Sequence, residues 1–124
     1  ETVKTSTASH KTLLELMAED SIHLTPINCG GKSALNQDRE QWTDGANAFA
    51  IKPGIIMGYE RNTNTLEELR KSGYNVITAQ TFLSAPQQYE SGKIMITIEE
   101  SELSRGRGGA RCLTLPLLRE NIHG

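Results

Sequence analysis

The chain has 124 residues, of which 36% are hydrophobic, and a formal net charge of −2, values that suit one domain or a part of one. This charge balance gives no reason to expect a nucleic acid or a membrane surface as partner, and no apolar run approaches the roughly 18 residues of a membrane span. The sequence starts without Met and without an apolar signal-peptide core, so we expect a processed or excised segment.

The first 42 residues predict a helix, a short strand and a loop. Leu13, Leu16 and Met17 recur at helical spacing, which predicts a helix over 6–20. Its candidate N-caps are Ser6, Thr7 and Ser9. The alternating segment 21–28 predicts a strand that Pro26 shortens or places at a sheet edge. The polar, glycine-led segment 29–42 predicts a loop.

The middle of the chain carries the strongest local signals. Two apolar runs flank Pro53-Gly54, which predicts a type II turn and a β-hairpin. A helix follows over 62–73, for which Asn64 or Thr65 is the candidate N-cap, with Glu67 or Glu68 completing a capping box and Gly73 as the C′ residue. Residues 74–79 predict a strand, so the order is strand, strand, helix, strand.

The last third of the chain predicts two further strands. Residues 80–93 are interpreted as a loop or insertion, and 94–100 as a strand. After a glycine-rich stretch, 112–120 predicts a final, largely buried strand. The fold class is therefore α/β.

Three motifs receive only weak support. Gly30-Gly31-Lys32-Ser33 lacks the glycine that a phosphate loop needs at position 26, where Pro26 stands. The arginine-glycine segment GRGG, 106–109, occurs once, whereas RNA-binding segments of this kind are repeated and strongly basic. The histidines and cysteines show no metal-ligand spacing, so no metal site is expected.

Cys29 and Cys112 are far apart in the sequence, and we expect two reduced thiols in a cytoplasmic protein rather than a disulfide. Cys29 is interpreted as a small buried hydrophobic residue. Cys112 follows Arg107 and Arg111, whose charges would lower the pKa of a thiol. On the residues alone, a reactive cysteine and a structural cysteine both remain open at this position.

Two segments carry a family resemblance. Residues 102–120, ELSRGRGGARCLTLPLLRE, resemble the active-site signature of the arginine deiminases, and 39–62, REQWTDGANAFAIKPGIIMGYERN, resembles a second segment of that family. The resemblance runs from about Ile22 to Glu120. Arg111 stands where the related agmatine and peptidylarginine deiminases have histidine, which favours the enzyme for free arginine.

The resemblance implies a fold and a reaction. The fold is the pentein propeller, five ββαβ modules of mixed sheet and short helices around a pseudo-fivefold axis, of which residues 1–124 would form one to two C-terminal modules. The reaction is hydrolysis of L-arginine to L-citrulline and ammonia, without a metal or organic cofactor. The implied partners are L-arginine and the N-terminal remainder of the same enzyme, in a homo-oligomer.

The resemblance also implies roles for three residues. Cys112 is the nucleophile that attacks the guanidinium carbon and forms a covalent S-alkylthiouronium. Arg107 binds the substrate carboxylate, and Gly106 faces the substrate with its backbone. Asp44 and Asn47 match the family pattern, but their roles could be structural.

The chain departs from the family in one respect that matters for activity. The family's catalytic histidine stands in a His-x-Asp motif, and no histidine here is followed two positions later by aspartate. We therefore expect the isolated segment to be inactive. Two alternatives remain: a deiminase or amidinotransferase that acts on another guanidino compound, and a non-catalytic pentein module that binds arginine.

Overall fold

The computed structural model describes residues 12–99, 102–106 and 108–118. These ranges contain four α-helices, four strands and two short 3₁₀ helices, at Pro86–Tyr89 and Leu103–Gly106. In chain order the α-helices and strands are α1 (Leu13–Glu19), α2 (Ala34–Trp42), β1 (Phe49–Lys52), β2 (Ile55–Tyr59), α3 (Thr63–Lys71), β3 (Asn75–Thr78), α4 (Ala79–Ser84) and β4 (Ile94–Ile98). The strands form one mixed sheet in the order β1-β2-β4-β3.

The predicted hairpin is confirmed. Strands β1 and β2 pair antiparallel, with Phe49 opposite Met57. Gly54 has φ +82°, the positive value that the third position of a type II turn requires. A Cβ at Gly54 would also collide with the carbonyl oxygen of Gly92, so this turn needs glycine for its dihedral angle and for its packing.

Strand β4 lies in the centre of the sheet and runs parallel to both of its neighbours, β2 and β3. Residues Ile94 to Thr97 are all buried. A continuous apolar run of this kind is typical of a parallel strand that is covered on both faces. The predicted strands around 74–79 and 94–100 are thus confirmed, with β4 inserted between the hairpin and β3.

Each face of the sheet is covered by a helix. On one face, Leu66 and Leu69 of α3 pack against Met95. On the other, Phe82 of α4 packs against the cluster that contains Ile94 and Ile96. Odd and even residues of β4 therefore enter two separate apolar clusters, as the alternation of side chains along a strand requires.

The helix predicted over 62–73 is confirmed, but its predicted N-cap is wrong. The N-cap is Asn62, and Asn64 and Thr65 lie inside the first turn, where the Glu40 carboxylate accepts their backbone N–H groups. The C-terminus is as predicted: Gly73 has φ +88° and donates to the carbonyl of Arg70, as in a Schellman motif.

Two predictions for the first 42 residues are wrong. Residues 22–28 form no strand: Ile22 and Leu24 are exposed, and only Ile27 reaches the apolar cluster under α3. Residues 34–42 form α2 rather than a loop. Because both large apolar residues of α2, Leu35 and Trp42, are exposed, the segment lacks the apolar stripe by which a helix is recognised.

The first helix begins later than predicted. Thr12 is the N-cap of α1, and its side chain and that of Glu15 form a reciprocal capping box. The candidate caps Ser6, Thr7 and Ser9 lie outside the described residues.

Two predictions for the last third are also wrong. The segment 80–93 contains α4 and the 3₁₀ helix Pro86–Tyr89, because Phe82 and Tyr89 find an apolar sheet face to cover. Residues 112–118 form a turn followed by irregular backbone. This segment pairs with neither edge strand within the described residues, and its leucines are exposed.

Candidate functional site

The Cys112 segment lies at one end of the hairpin. Because β1 and β2 are antiparallel, the start of β1 and the end of β2 are neighbours. Tyr59, the last residue of β2, is buried and donates its hydroxyl to the carbonyl of Gly108 at 2.8 Å. The hairpin thus provides a rigid support for the glycine-rich segment.

A second hydrogen bond holds the chain just before the glycine-rich segment. Arg61 Nη1 donates to Ser104 Oγ at 3.1 Å, and Ser104 is buried at the start of the 3₁₀ helix Leu103–Gly106. Arg105, in contrast, is exposed and pairs with Glu102 at 3.0 Å. The end of β2 and the residues just after it therefore hold the glycine-rich segment at Gly108 and the residue that precedes the segment, Ser104.

Cys112 stands in a tight turn. Its backbone N–H donates to the carbonyl of Gly109 at 3.0 Å, and Ala110, inside the turn, is buried. The Thr114 hydroxyl donates to the carbonyl of Arg111 at 2.8 Å. Cys112 itself is exposed, so the turn presents the thiol at the surface of the described part of the chain.

Asn47 makes the side-chain contact to the thiol. Its Nδ2 lies 3.1 Å from Cys112 Sγ and donates to it. The backbone N–H of Asn47 donates to the carbonyl of Asp44 at 3.0 Å. Asn47 stands two residues before β1, so the hairpin carries both Asn47 and the support of the Cys112 turn.

The pKa of the Cys112 thiol is lowered below its usual value. The largest cause is the hydrogen bond from Asn47, followed by the backbone N–H of Gly109. Asp44 opposes the shift, and the charge of Arg111 is the weakest contribution. Of the two arginines that were expected to lower this pKa, Arg111 does so, although less than the hydrogen-bond donors, and Arg107 lies outside the described residues.

Asp44 forms the corner that leads to Asn47. Its φ of +58° lies in the left-handed region, which aspartate tolerates better than most residues. One carboxylate oxygen, Oδ2, is buried without a hydrogen-bond partner among the described residues.

The three predicted site residues have different outcomes. Cys112 is described and accessible. Gly106 is exposed at the end of the 3₁₀ helix Leu103–Gly106, and a Cβ built there would meet no described atom within 4 Å. Arg107 lies outside the described residues.

Cys29 is half-buried and packs among neighbours. Its Sγ lies 3.5 Å from Thr65 Oγ1, and a Cβ at Gly45 would come within 2.8 Å of it. These contacts agree with a packing role, but the predicted burial of Cys29 is only partial.

Sequence reasoning missed the contact between Asn47 and the thiol. The two residues are 65 positions apart, and the available signal was the match of Asn47 to a family pattern. Within the described ranges, no group of three or more His, Cys, Asp or Glu side chains could hold a metal ion. In the same part of the chain, no helix is long and apolar enough to cross a membrane.

Comparisons with known proteins agree with the resemblance. The family model of arginine deiminase matches residues 2–119. The chain is 42% identical over 113 residues to an arginine deiminase of Mycoplasma capricolum subsp. capricolum, an alignment that covers 90% of this chain and 23% of the relative.

Two further relatives give the same result. An arginine deiminase of Latilactobacillus sakei subsp. sakei is 40% identical over 117 residues, covering 92% of this chain and 24% of the relative. One of Listeria monocytogenes is 39% identical over 112 residues, covering 90% and 22%. The chain thus spans less than a quarter of the length of these relatives. Because the family model matches nearly all of the chain, the chain belongs to the arginine deiminase family.

Proposed function

We propose that this chain is the C-terminal segment of an arginine deiminase and that Cys112 is its nucleophile. Family membership supports the reaction class. The single observation that supports the residue is the exposed thiol with a hydrogen-bond donor 3.1 Å from its sulfur. The nucleophile is the thiolate, and donors to sulfur favour that form.

In the proposed reaction, the Cys112 thiolate attacks the guanidinium carbon of L-arginine and forms a C–S bond. The tetrahedral adduct collapses, the C–N bond to one terminal nitrogen breaks, and that nitrogen leaves as ammonia after it takes up a proton. Water then attacks the S-alkylthiouronium carbon, and the C–S bond breaks to return the thiolate and release citrulline. The balance is arginine plus water to citrulline plus ammonia.

The remaining groups of the site would come from the rest of the enzyme. A histidine for proton transfer and carboxylates for the guanidinium belong to the part of the protein outside this chain. Arg107 would bind the substrate carboxylate, with which its planar guanidinium can form two parallel hydrogen bonds. The four-stranded mixed sheet would be one module of a pentein propeller, and the site would face its axis.

The test is Cys112→Ser in the full-length protein. We expect citrulline formation from arginine to fall by at least about 10⁴-fold, because loss of a nucleophile removes the covalent route. The matched control is Cys29→Ser, a thiol that packs against Thr65 and should leave activity near normal. Intact mass during turnover should show a covalent adduct on the unsubstituted protein that is absent from Cys112→Ser.

Near-normal citrulline production by Cys112→Ser would rule out the proposal. Parallel assays with agmatine and a peptidyl arginine show which guanidino compound is the substrate. Release of ammonia from one of these but not from free arginine would identify a different guanidino enzyme. Binding of arginine without any turnover or adduct would identify a non-catalytic module.

A further inference from the structure

We propose that Asn47 is a positioning residue for the nucleophile: its side-chain amide holds the sulfur of Cys112 in place and acts as the principal donor to the thiolate. This inference rests on the proposed role of Cys112, but it is measured without turnover. It gives a function to a residue for which the sequence alone left a structural role open.

The surroundings of Asn47 hold its backbone and side chain in place. Its backbone is tied to the carbonyl of Asp44, and two residues later the chain enters the hairpin. Gly109 lies directly against this side chain, because a Cβ at Gly109 would come within 2.4 Å of Asn47 Cβ. The amide therefore points at Cys112 Sγ as part of a packed contact.

The chemistry of this contact favours one charge state. An amide N–H donates more strongly to a thiolate than to a thiol, because the acceptor carries a full negative charge. The backbone N–H of Gly109 also lowers the pKa of the thiol, less than Asn47 does. Among the described residues, the charged groups that act on the sulfur are Asp44, which opposes the thiolate, and Arg111, which favours it weakly.

Substitutions at Asp44 and Asn47 form a matched pair, because their expected effects on the titration of Cys112 have opposite signs. Asn47→Asp keeps the shape of the side chain but replaces the donor by a negative oxygen. Asp44→Asn removes the opposing charge, and asparagine tolerates the left-handed φ of +58° at that corner. If the contact acts as proposed, the two substitutions move the titration of Cys112 in opposite directions.

The experiment measures alkylation of Cys112 by iodoacetamide in the full-length protein between pH 5 and 10, with peptide mapping. The pH midpoint of the rate reports the thiolate, and the plateau at high pH reports access to the sulfur. We expect Asn47→Ala to raise the pH midpoint of alkylation by about one pH unit, which makes alkylation about tenfold slower at pH values below the midpoint. We expect a larger rise for Asn47→Asp and a fall for Asp44→Asn.

The controls distinguish a specific effect of the Asn47 side chain from a general effect of an added charge and from a loss of folding. Asn75→Asp adds the same charge at the exposed start of β3, at the far end of the sheet, and should leave the midpoint unchanged. Cys29 is the internal reference in every map. Thermal unfolding shows whether each variant folds. If Asn47→Ala does not fold, the pH midpoint of the isosteric variant Asn47→Asp decides the test.

An unchanged midpoint in folded Asn47→Ala and Asn47→Asp would overturn the inference. A change in the plateau alone would also overturn it, since that result describes a structural residue. Either result leaves the proposed function standing if Cys112→Ser is inactive. An active Cys112→Ser enzyme would instead overturn the proposed function.

Discussion

Gly106 and Gly109 lie three positions apart, but their surroundings differ. A Cβ at Gly109 would come within 2.4 Å of Asn47 Cβ, whereas one at Gly106 would meet no described atom within 4 Å. The requirement for glycine at Gly109 is therefore steric and comes from a residue 62 positions earlier in the chain. The two glycines form a matched pair for testing how tightly the Cys112 turn is packed.

We expect Gly109→Ala to destabilise the full-length protein by about 1–3 kcal/mol, the typical cost of overpacking, and to slow alkylation of Cys112. Gly106→Ala should change the free energy of unfolding by less than about 0.5 kcal/mol. Chemical denaturation measures both. Equal free energies of unfolding for the two variants would contradict the packed contact between Gly109 and Asn47.

At the scale of elements, Glu40 joins α2 to the start of α3. Its buried carboxylate accepts hydrogen bonds from the backbone and side chain of Asn64 and from the backbone and hydroxyl of Thr65. A negative group at a helix N-terminus also interacts favourably with the helix dipole. Glu40 thus caps α3 from another helix, whereas Asn62, the N-cap, makes no side-chain capping bond and is hydrogen-bonded to Thr43 instead.

This cap predicts a pH dependence. Burial acts to raise the pKa of Glu40, but the hydrogen bonds from Thr65 and Asn64 outweigh it and hold the pKa below its usual value of 4.5. Because the folded pKa is the lower one, the stabilisation is present at neutral pH. It is lost as the pH falls from about 4.5 through the folded pKa.

We expect Glu40→Ala to cost about 2–3 kcal/mol at pH 7, because it leaves buried donors without an acceptor. Glu40→Gln should cost less and should remove this contribution to the acid sensitivity. Unfolding curves at pH 7 and pH 4 measure both effects. If Glu40→Gln lost stability with acid as steeply as the original chain, Glu40 would not be the titrating group.

At the scale of the whole molecule, the described chain leaves apolar surface uncovered. Leu115, Leu117 and Leu118 are 81%, 89% and 88% exposed. Among the described residues, the sheet also ends in two edge strands, β1 and β3, each with one unpaired side. Soluble proteins rarely expose a contiguous apolar segment of this kind, and open strand edges invite pairing with another chain.

We therefore expect the 124-residue chain alone to self-associate and to form no citrulline. Light scattering gives its mass in solution, and a colorimetric assay gives citrulline. The variant with Leu115, Leu117 and Leu118 all changed to Gln should self-associate less. A stable monomer at high concentration would contradict the exposure argument, and arginine turnover by this chain alone would show that the catalytic groups assigned to the rest of the enzyme are not needed.

The sequence by itself determined those features whose signals are local. The hairpin at Pro53-Gly54, α3 with its C′ glycine, and the strands β3 and β4 were all predicted, because turn dihedrals and apolar runs are properties of neighbouring residues. The family signature around Cys112 was equally readable, since it occupies one continuous segment.

Only the tertiary structure decided features that depend on distant partners. Helix α2 has no apolar stripe and bonds to α3 through Glu40, so no local pattern predicts it. Residues 112–118 form no strand, because no strand of the described chain pairs with them. The contact of Asn47 with Cys112 spans 65 residues, and it exists because the antiparallel pairing of β1 and β2 brings the start of one strand to the end of the other.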